Sequence, residues 1–257
     1  MSTPGAAVST ADEQRPLSEV ERLVDVFIAP TKTFNDIKRN ANWLWPFVLL
    51  IVLSLGYSYS IGKKVTWEQA AENQKKLMTQ TQLDRMEQQV EQASDKQDMR
   101  RRQQTMMVGI TKGIGYTFPV IALFMTAVFA AIYLLTMNFG LGAQLSFKHV
   151  FAVMMYANVV RGVWTLLAII GIYTFIDPQD FQISMPLATN PAAFISPTEH
   201  PFLFGLLSQF DIFALWGTAL TGLGFSVLSK KSLGVCMGVA FGVLIAIALV
   251  FSLPKLL

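Results

Sequence analysis

From residue 113 to residue 257 the chain carries nine charged side chains, five basic and four acidic, whereas residues 1–112 carry 15 Lys or Arg and 13 Asp or Glu. A soluble domain devotes about a quarter of its residues to charge; this chain as a whole reaches 14%, and 53% of it is hydrophobic. A surface so short of charge over its C-terminal half cannot be covered by water, but it can be covered by lipid. The distribution therefore predicts an all-α, polytopic membrane protein. The net charge of +3 is too small to argue for a nucleic-acid partner.

Five stretches are long and apolar enough for the roughly 20 helical residues that a bilayer requires. They lie at 43–61, 114–138, 150–176, 203–228 and 232–253. Trp43 and Trp45 open the first with an interfacial aromatic signature. Only a few residues around Lys230-Lys231 separate the last two, which predicts a tight antiparallel hairpin. Residues 62–105 differ: ten glutamines, mixed charge and, from Lys63 to Met107, no Gly or Pro. Leu83, Met86, Val90 and Ala93 follow a helical rhythm, and Thr79-Gln-Thr81 marks a break. The segment reads as a soluble helical insert between spans one and two. Residues 177–202, with five prolines and no Lys or Arg, read as an irregular connector.

Residues 1–17 read as a disordered tail, without the apolar core of a signal peptide and without the sequence for a terminal lipid. Residues 18–42 read as amphipathic interfacial helices. Ser18-Glu-Val-Glu21 is a capping box. Val20, Leu23, Val24, Phe27 and Ile28 then recur at helical spacing until Ala29-Pro30 breaks the helix. Thr31 caps a second helix, with Phe34 and Ile37 on one face. Two placements fit: flat on the membrane surface, or packed on the protein's own spans. Charge bias does not choose an orientation. A cytoplasmic N-terminus places the connector outside, as it should be, but also exports the ten basic residues of 62–113.

Three motifs carry a resemblance. The opening Leu23-Val-Asp-Val-Phe27-Ile-Ala-Pro30-Thr-Lys-Thr-Phe34-Asn-Asp-Ile37, followed by Trp43-Leu-Trp-Pro46, resembles the start of bacterial Yip-domain proteins, relatives of the Ypt/Rab-interacting proteins. Gly142 through Phe147 to Tyr156 is similar to that family's glycine loop, aromatic residue and tyrosine entering the third span. Asp177-Pro-Gln-Asp-Phe181 through Pro186 to Asn190 and Phe194 resembles a connector of one bacterial subgroup. The resemblance covers about residues 20–253. It implies five spans, a cytoplasmic N-terminus and a bacterial inner-membrane location. The eukaryotic Asp-Leu-Tyr-Gly-Pro motif is absent, and the family's proline after the tyrosine is replaced by Ala157-Asn158-Val-Val-Arg161.

Arg161 and Asp211 are the charges left inside the spans. A cation there costs at least ~2.5 kcal/mol on insertion scales, which predicts that the two approach each other, directly or through Asn158, Ser208 or Gln209. Such a group either neutralises itself and fixes packing, or lines a polar route for a solute. Gly234, Gly238 and Gly242 repeat every fourth residue on one face of the last span. That stripe suits either packing on the fourth span or a homodimer. One cysteine, Cys236, and two histidines leave no plausible metal centre. No hydrolytic elbow, Walker loop or dinucleotide motif is present, so no enzyme activity and no cofactor is expected. The sequence points to a non-enzymatic scaffold or adaptor that works with the lipid bilayer and an unidentified protein partner. The alternative is a small transporter or channel component centred on Arg161 and Asp211.

Overall fold

The computed structural model describes residues 15–253, so the tail expected at 1–17 lies almost wholly outside the described residues. Among those residues the regular structure is helical, with no strand. Two short helices lead: α1 (Glu19–Ile28) and α2 (Pro30–Arg39). The capping box forms as the sequence predicts. The Glu21 N–H donates to Ser18 Oγ at 3.2 Å, and the Ser18 N–H donates to Glu21 Oε2 at 2.7 Å. These bonds hold the Glu21 carboxyl below its usual pKa. Thr31 does not cap α2 as the sequence suggests: the N-cap is Ala29, without a side-chain bond, and Pro30 fits at the first position, where its missing N–H is not needed.

The first span is α3 (Leu44–Ser60), extended by a π-turn at Ile61–Val65. The insert follows as α4 (Trp67–Lys75) and α5 (Gln80–Glu91), and Thr79 caps α5 at the break that the sequence marks. The second span is the apolar part of a longer helix: α6 runs unbroken for 40 residues from Lys96 to Leu135. The expected start at 114 is therefore a change of surroundings and not of backbone. Asp95 caps the helix by accepting from the N–H groups of Gln97 and Asp98, and Pro119 is accommodated inside it.

The third span, Phe147–Thr174, is divided at Asn158 into α7 (Phe147–Ala157) and α8 (Val159–Thr174). The fourth differs from the single stretch expected at 203–228. It is a short α9 (Pro201–Leu207), a break at Ser208 to Asp211, and then α10 (Ile212–Ser229). The break has a local cause, since Asp211 is the N-cap of α10 and accepts from the Phe213 N–H at 2.8 Å. Lys230, in the left-handed conformation at φ 59°, turns the chain tightly into α11 (Leu233–Ser252). Five helical segments are long and apolar enough to cross a membrane.

The core is built around α7, whose residues Val150 to Ala157 are all buried between α2, α6 and α10. At the meeting of three helices, a Cβ on Gly224 would lie 2.4 Å from Val153 Cγ1 and 3.3 Å from Phe34 Cδ1, so only hydrogen fits there. A second, smaller cluster of Ile61, Val65, Trp67, Ala70, Ile172 and Phe181 joins the insert to the end of the third span. The insert also grips the connector. The Asn73 amide donates to the carbonyls of Pro178 and Phe181, both at 2.8 Å, and Lys76 Nζ donates to Gln179 O at 2.8 Å. Insert and connector, which follow spans one and three, thus share one end of the bundle. At the other end, the His149 ring meets Lys38 O at 3.3 Å, beside α2.

Replacing Asn73 by Ala leaves two connector carbonyls without their donor. We expect a loss of about 1–3 kcal/mol and faster proteolysis within residues 177–200 of the solubilised protein, with the spans unaffected. Unchanged cleavage would show that the apolar cluster alone holds the connector.

Candidate functional site

Sequence periodicity puts charged residues of an amphipathic helix in water. In α1 two of them are inside. Arg22 is 2% exposed and Asp25 9%, while Val20, Val24 and Ile28 are 70%, 50% and 75% exposed. The inner apolar positions, Leu23, Val26 and Phe27, pack on the core. The apolar residues thus divide between two faces, one against the protein and one pointing away from it.

What draws Arg22 inward is a pair of carboxylates, one from α2 and one from the preceding turn of α1. Its Nε and Nη2 both lie 2.6 Å from Asp36 Oδ2 of α2, and Nη1 lies 3.5 Å from Glu19 Oε1. Glu19 is fixed from two further directions: Tyr156 OH of the third span donates to its Oε2 at 2.9 Å, and Asn42 Nδ2 donates to its Oε1 at 2.8 Å. The Thr33 hydroxyl donates to Arg22 O at 3.3 Å. Burial alone would lower the Arg22 pKa, but Tyr156 and the Asp36 carboxylate more than offset it and hold the value above that of a free arginine. The node is therefore a permanently charged clamp that ties α1, α2, the start of α3 and α7 together. Near it, Lys32 Nζ pairs with Asp25 Oδ2 at 3.2 Å. Phe27 stacks edge-on against Trp216 of α10, ring centres 5.7 Å apart.

Sequence reasoning singled out Tyr156 only as a family motif and missed Glu19, Arg22 and Asp36 as a group. The available signal was an Arg and two acids on positions that alternate with apolar ones in helices too short to be independent.

The residues that the sequence nominated as an intramembrane group are dispersed. Arg161 and Asp211 do not form an ion pair; Asp211 acts on Arg161 only as a more distant charge. The reason is the fourth-span break, where Asp211 accepts from Phe213 N and from the Thr189 hydroxyl of the connector. Asn158 donates to Thr126 Oγ1 at 3.3 Å. Gln209 lines a different cavity, of about 310 Å³, with Gln74, Ser184, Asn190, Phe204 and Ser208 between the insert, the connector and α9. Of the two roles expected for the glycine stripe, packing on the fourth span is not the one the structure shows. A Cβ added at Gly234, Gly238 or Gly242 would meet nothing within 4 Å. The two last helices are instead packed through Gly222, where a Cβ would lie 2.7 Å from Met237 Sδ. Cys236 is buried and does not belong to the open stripe.

Fold and node together define an all-helical, multi-pass membrane protein whose N-terminal helices are part of the bundle. A family model described as the Yip1 domain matches residues 24–253, and the chain belongs to that family. No curated protein and no solved structure matches it. The match includes Asp36 and Tyr156 of the node and begins just after Glu19 and Arg22.

Arg22→Met should destabilise the protein by about 3–5 kcal/mol, because Asp36 is left buried without its cation. Arg22→Met with Asp36→Leu should be milder than the sum of the single changes. Thermal unfolding of the purified protein in detergent measures both. Additive effects would show that the two side chains do not stabilise each other.

Proposed function

We propose that this Yip-domain protein is a non-enzymatic membrane scaffold or adaptor, set in a bacterial inner membrane with its N-terminus cytoplasmic. The observation that carries the reading is the outward apolar stripe of Val20, Val24 and Ile28 on a helix held by charge from within. Glu19 reaches Tyr156 and Phe27 reaches Trp216, and both partners lie inside spans. A helix fixed at that level presents its outer face to acyl chains and not to water. It widens the protein within one leaflet only, which is how an amphipathic helix biases bilayer curvature and lipid packing. At the opposite end, the mixed-charge surface of the insert is available for a protein partner.

The spans serve in this reading as the frame that holds two working surfaces at a fixed separation. Glu19, Arg22 and Asp36 are committed to the clamp and Asp25 is paired with Lys32. A homodimer through the last span is a second reading, favoured by the open glycine stripe at Gly234, Gly238 and Gly242.

Proximity labelling of a tagged chain in its own membrane tests the scaffold. We expect a reproducible set of neighbours that changes when Val20, Val24 and Ile28 are all replaced by Ser, with the five-span fold retained. A neighbour set no different from that of an unrelated five-span protein would end the proposal. For the dimer, a Cβ at Gly238 meets no atom within 4 Å, so Gly238→Leu should leave the monomer folded while dispersing any dimer seen by chemical crosslinking in native membranes. Crosslinking unchanged by this substitution would remove the last span as the interface.

A further inference from the structure

Arg161 is exposed on a helix face that is otherwise buried. In α8 the positions within about 40° of it at 100° per residue are Thr165, which is half-buried, and Ala168 and Ile172, which are buried. Ala157, one turn earlier in α7, is buried as well. The lipid-facing side of the same helix is marked by Leu166, Leu167, Ile170 and Tyr173, all exposed and all pointing elsewhere. Arg161 is thus the exposed position on an otherwise packed face.

The level is deep. Thirteen residues separate Arg161 from the end of the span at Thr174, and fourteen from its start at Phe147, about 20 Å in either direction at 1.5 Å per residue. That is too far for the side chain to reach either bilayer surface. Its backbone is satisfied, with N–H to Asn158 O at 2.9 Å and O accepting from the Thr165 hydroxyl at 3.0 Å. Its side chain has no hydrogen bond or ion pair among the described residues. Asp211 offsets part of the charge from a distance, but its oxygens are occupied by Phe213 N–H and Thr189. Arg161's own span is interrupted three residues earlier, at Asn158, and the chain is interrupted again at Ser208 to Asp211, where α10 begins. Interrupted spans are where membrane proteins line polar cavities and not lipid.

We propose that Arg161 anchors an oxyanion-binding crevice between the third and fourth spans. A guanidinium carries five N–H donors in a planar fork that matches a carboxylate or a phosphate. In a crevice at this depth an oxyanion completes what no protein group supplies. The anion comes either from an acidic phospholipid headgroup drawn into the gap or from a free solute. This site is separate from the scaffold surfaces and stands or falls independently of them.

Two arms distinguish the sources. The full chain, purified in mild detergent, is weighed intact to detect a retained acidic phospholipid. After delipidation its thermal unfolding is followed with inorganic phosphate or acetate against chloride at equal ionic strength. We expect wild type to respond in at least one arm, Arg161→Gln to lose at least tenfold in occupancy or apparent affinity, and Arg161→Lys to fall between them. Retained lipid assigns the headgroup; an oxyanion-dependent shift assigns the solute. Should Arg161→Gln fail to fold, a Thr165→Cys probe in a Cys236→Ser background keeps Arg161 in place. It should react with a charged, membrane-impermeant thiol reagent and be slowed by the bound anion. Equal behaviour of wild type and Arg161→Gln in both arms, or an unreactive cysteine at 165, would overturn the proposal.

Discussion

A guanidinium closed in by two carboxylates decides where the N-terminal helices of this protein lie. Taking Arg22 out of water is costly, and the cost is offset only if its partners are already in position. Asp36 comes from the next helix, Glu19 from the preceding turn, and Glu19 is itself held by Tyr156 and Asn42. Each of these contacts fixes a different element, so the charge is compensated only when α1, α2, the start of α3 and α7 are assembled together. A clamp of this kind contributes less to total stability than apolar packing of the same volume would. What it contributes is register. Few other arrangements of these helices could compensate the same charges, whereas apolar faces can slide.

Register has a consequence for the surface. Once Arg22 and Asp25 are turned inward, Val20, Val24 and Ile28 must turn outward, because they lie on the other side of the same ten-residue helix. An amphipathic helix on a soluble protein has the opposite arrangement. The inversion is stable only where the outer medium is apolar, so the clamp and the lipid require each other. The two placements that fit the sequence of residues 18–42, on the membrane surface or against the spans, turn out to describe two faces of one helix. The inner side packs on Trp216 and the core, and the outer side is open.

Composition and local capping made most of the architecture legible. The five spans follow from apolar length, and Ser18 and Thr79 start helices where their capping boxes stand. The boundaries that moved did so for reasons that hydropathy does not register. The helix of the second span begins in the insert because nothing between Lys96 and Leu135 stops it, Pro119 included. The fourth span is cut because Asp211 is a better N-cap than a mid-helix residue. The Ser208-Gln-Phe-Asp211 run carried that signal, but reading the whole stretch as apolar concealed it. The same cut separates Asp211 from Arg161. Of the glycines in the last two spans, those that pack are Gly217, Gly222 and Gly224 of the fourth, not the regular stripe of the fifth. Spacing shows which residues share a face, and not which neighbour that face meets.

The breaks in the third and fourth spans also explain why so much polar chemistry collects toward the insert end. Backbone groups freed inside a bilayer need partners from within the protein. At the fourth-span break they find them in the connector, where Ile212 N–H donates to Thr189 O at 3.1 Å and Thr189 returns a hydroxyl to Asp211. The connector must therefore dip to the level of the break, and it is the insert, through Asn73 and Lys76, that holds the connector on its near side. Insert, connector and broken span form one mechanical chain that ends beside Arg161. The opposite end is tied by the Arg22 clamp. The third span enters the clamp through Tyr156, five residues before Arg161, which is bonded to neither assembly through its side chain.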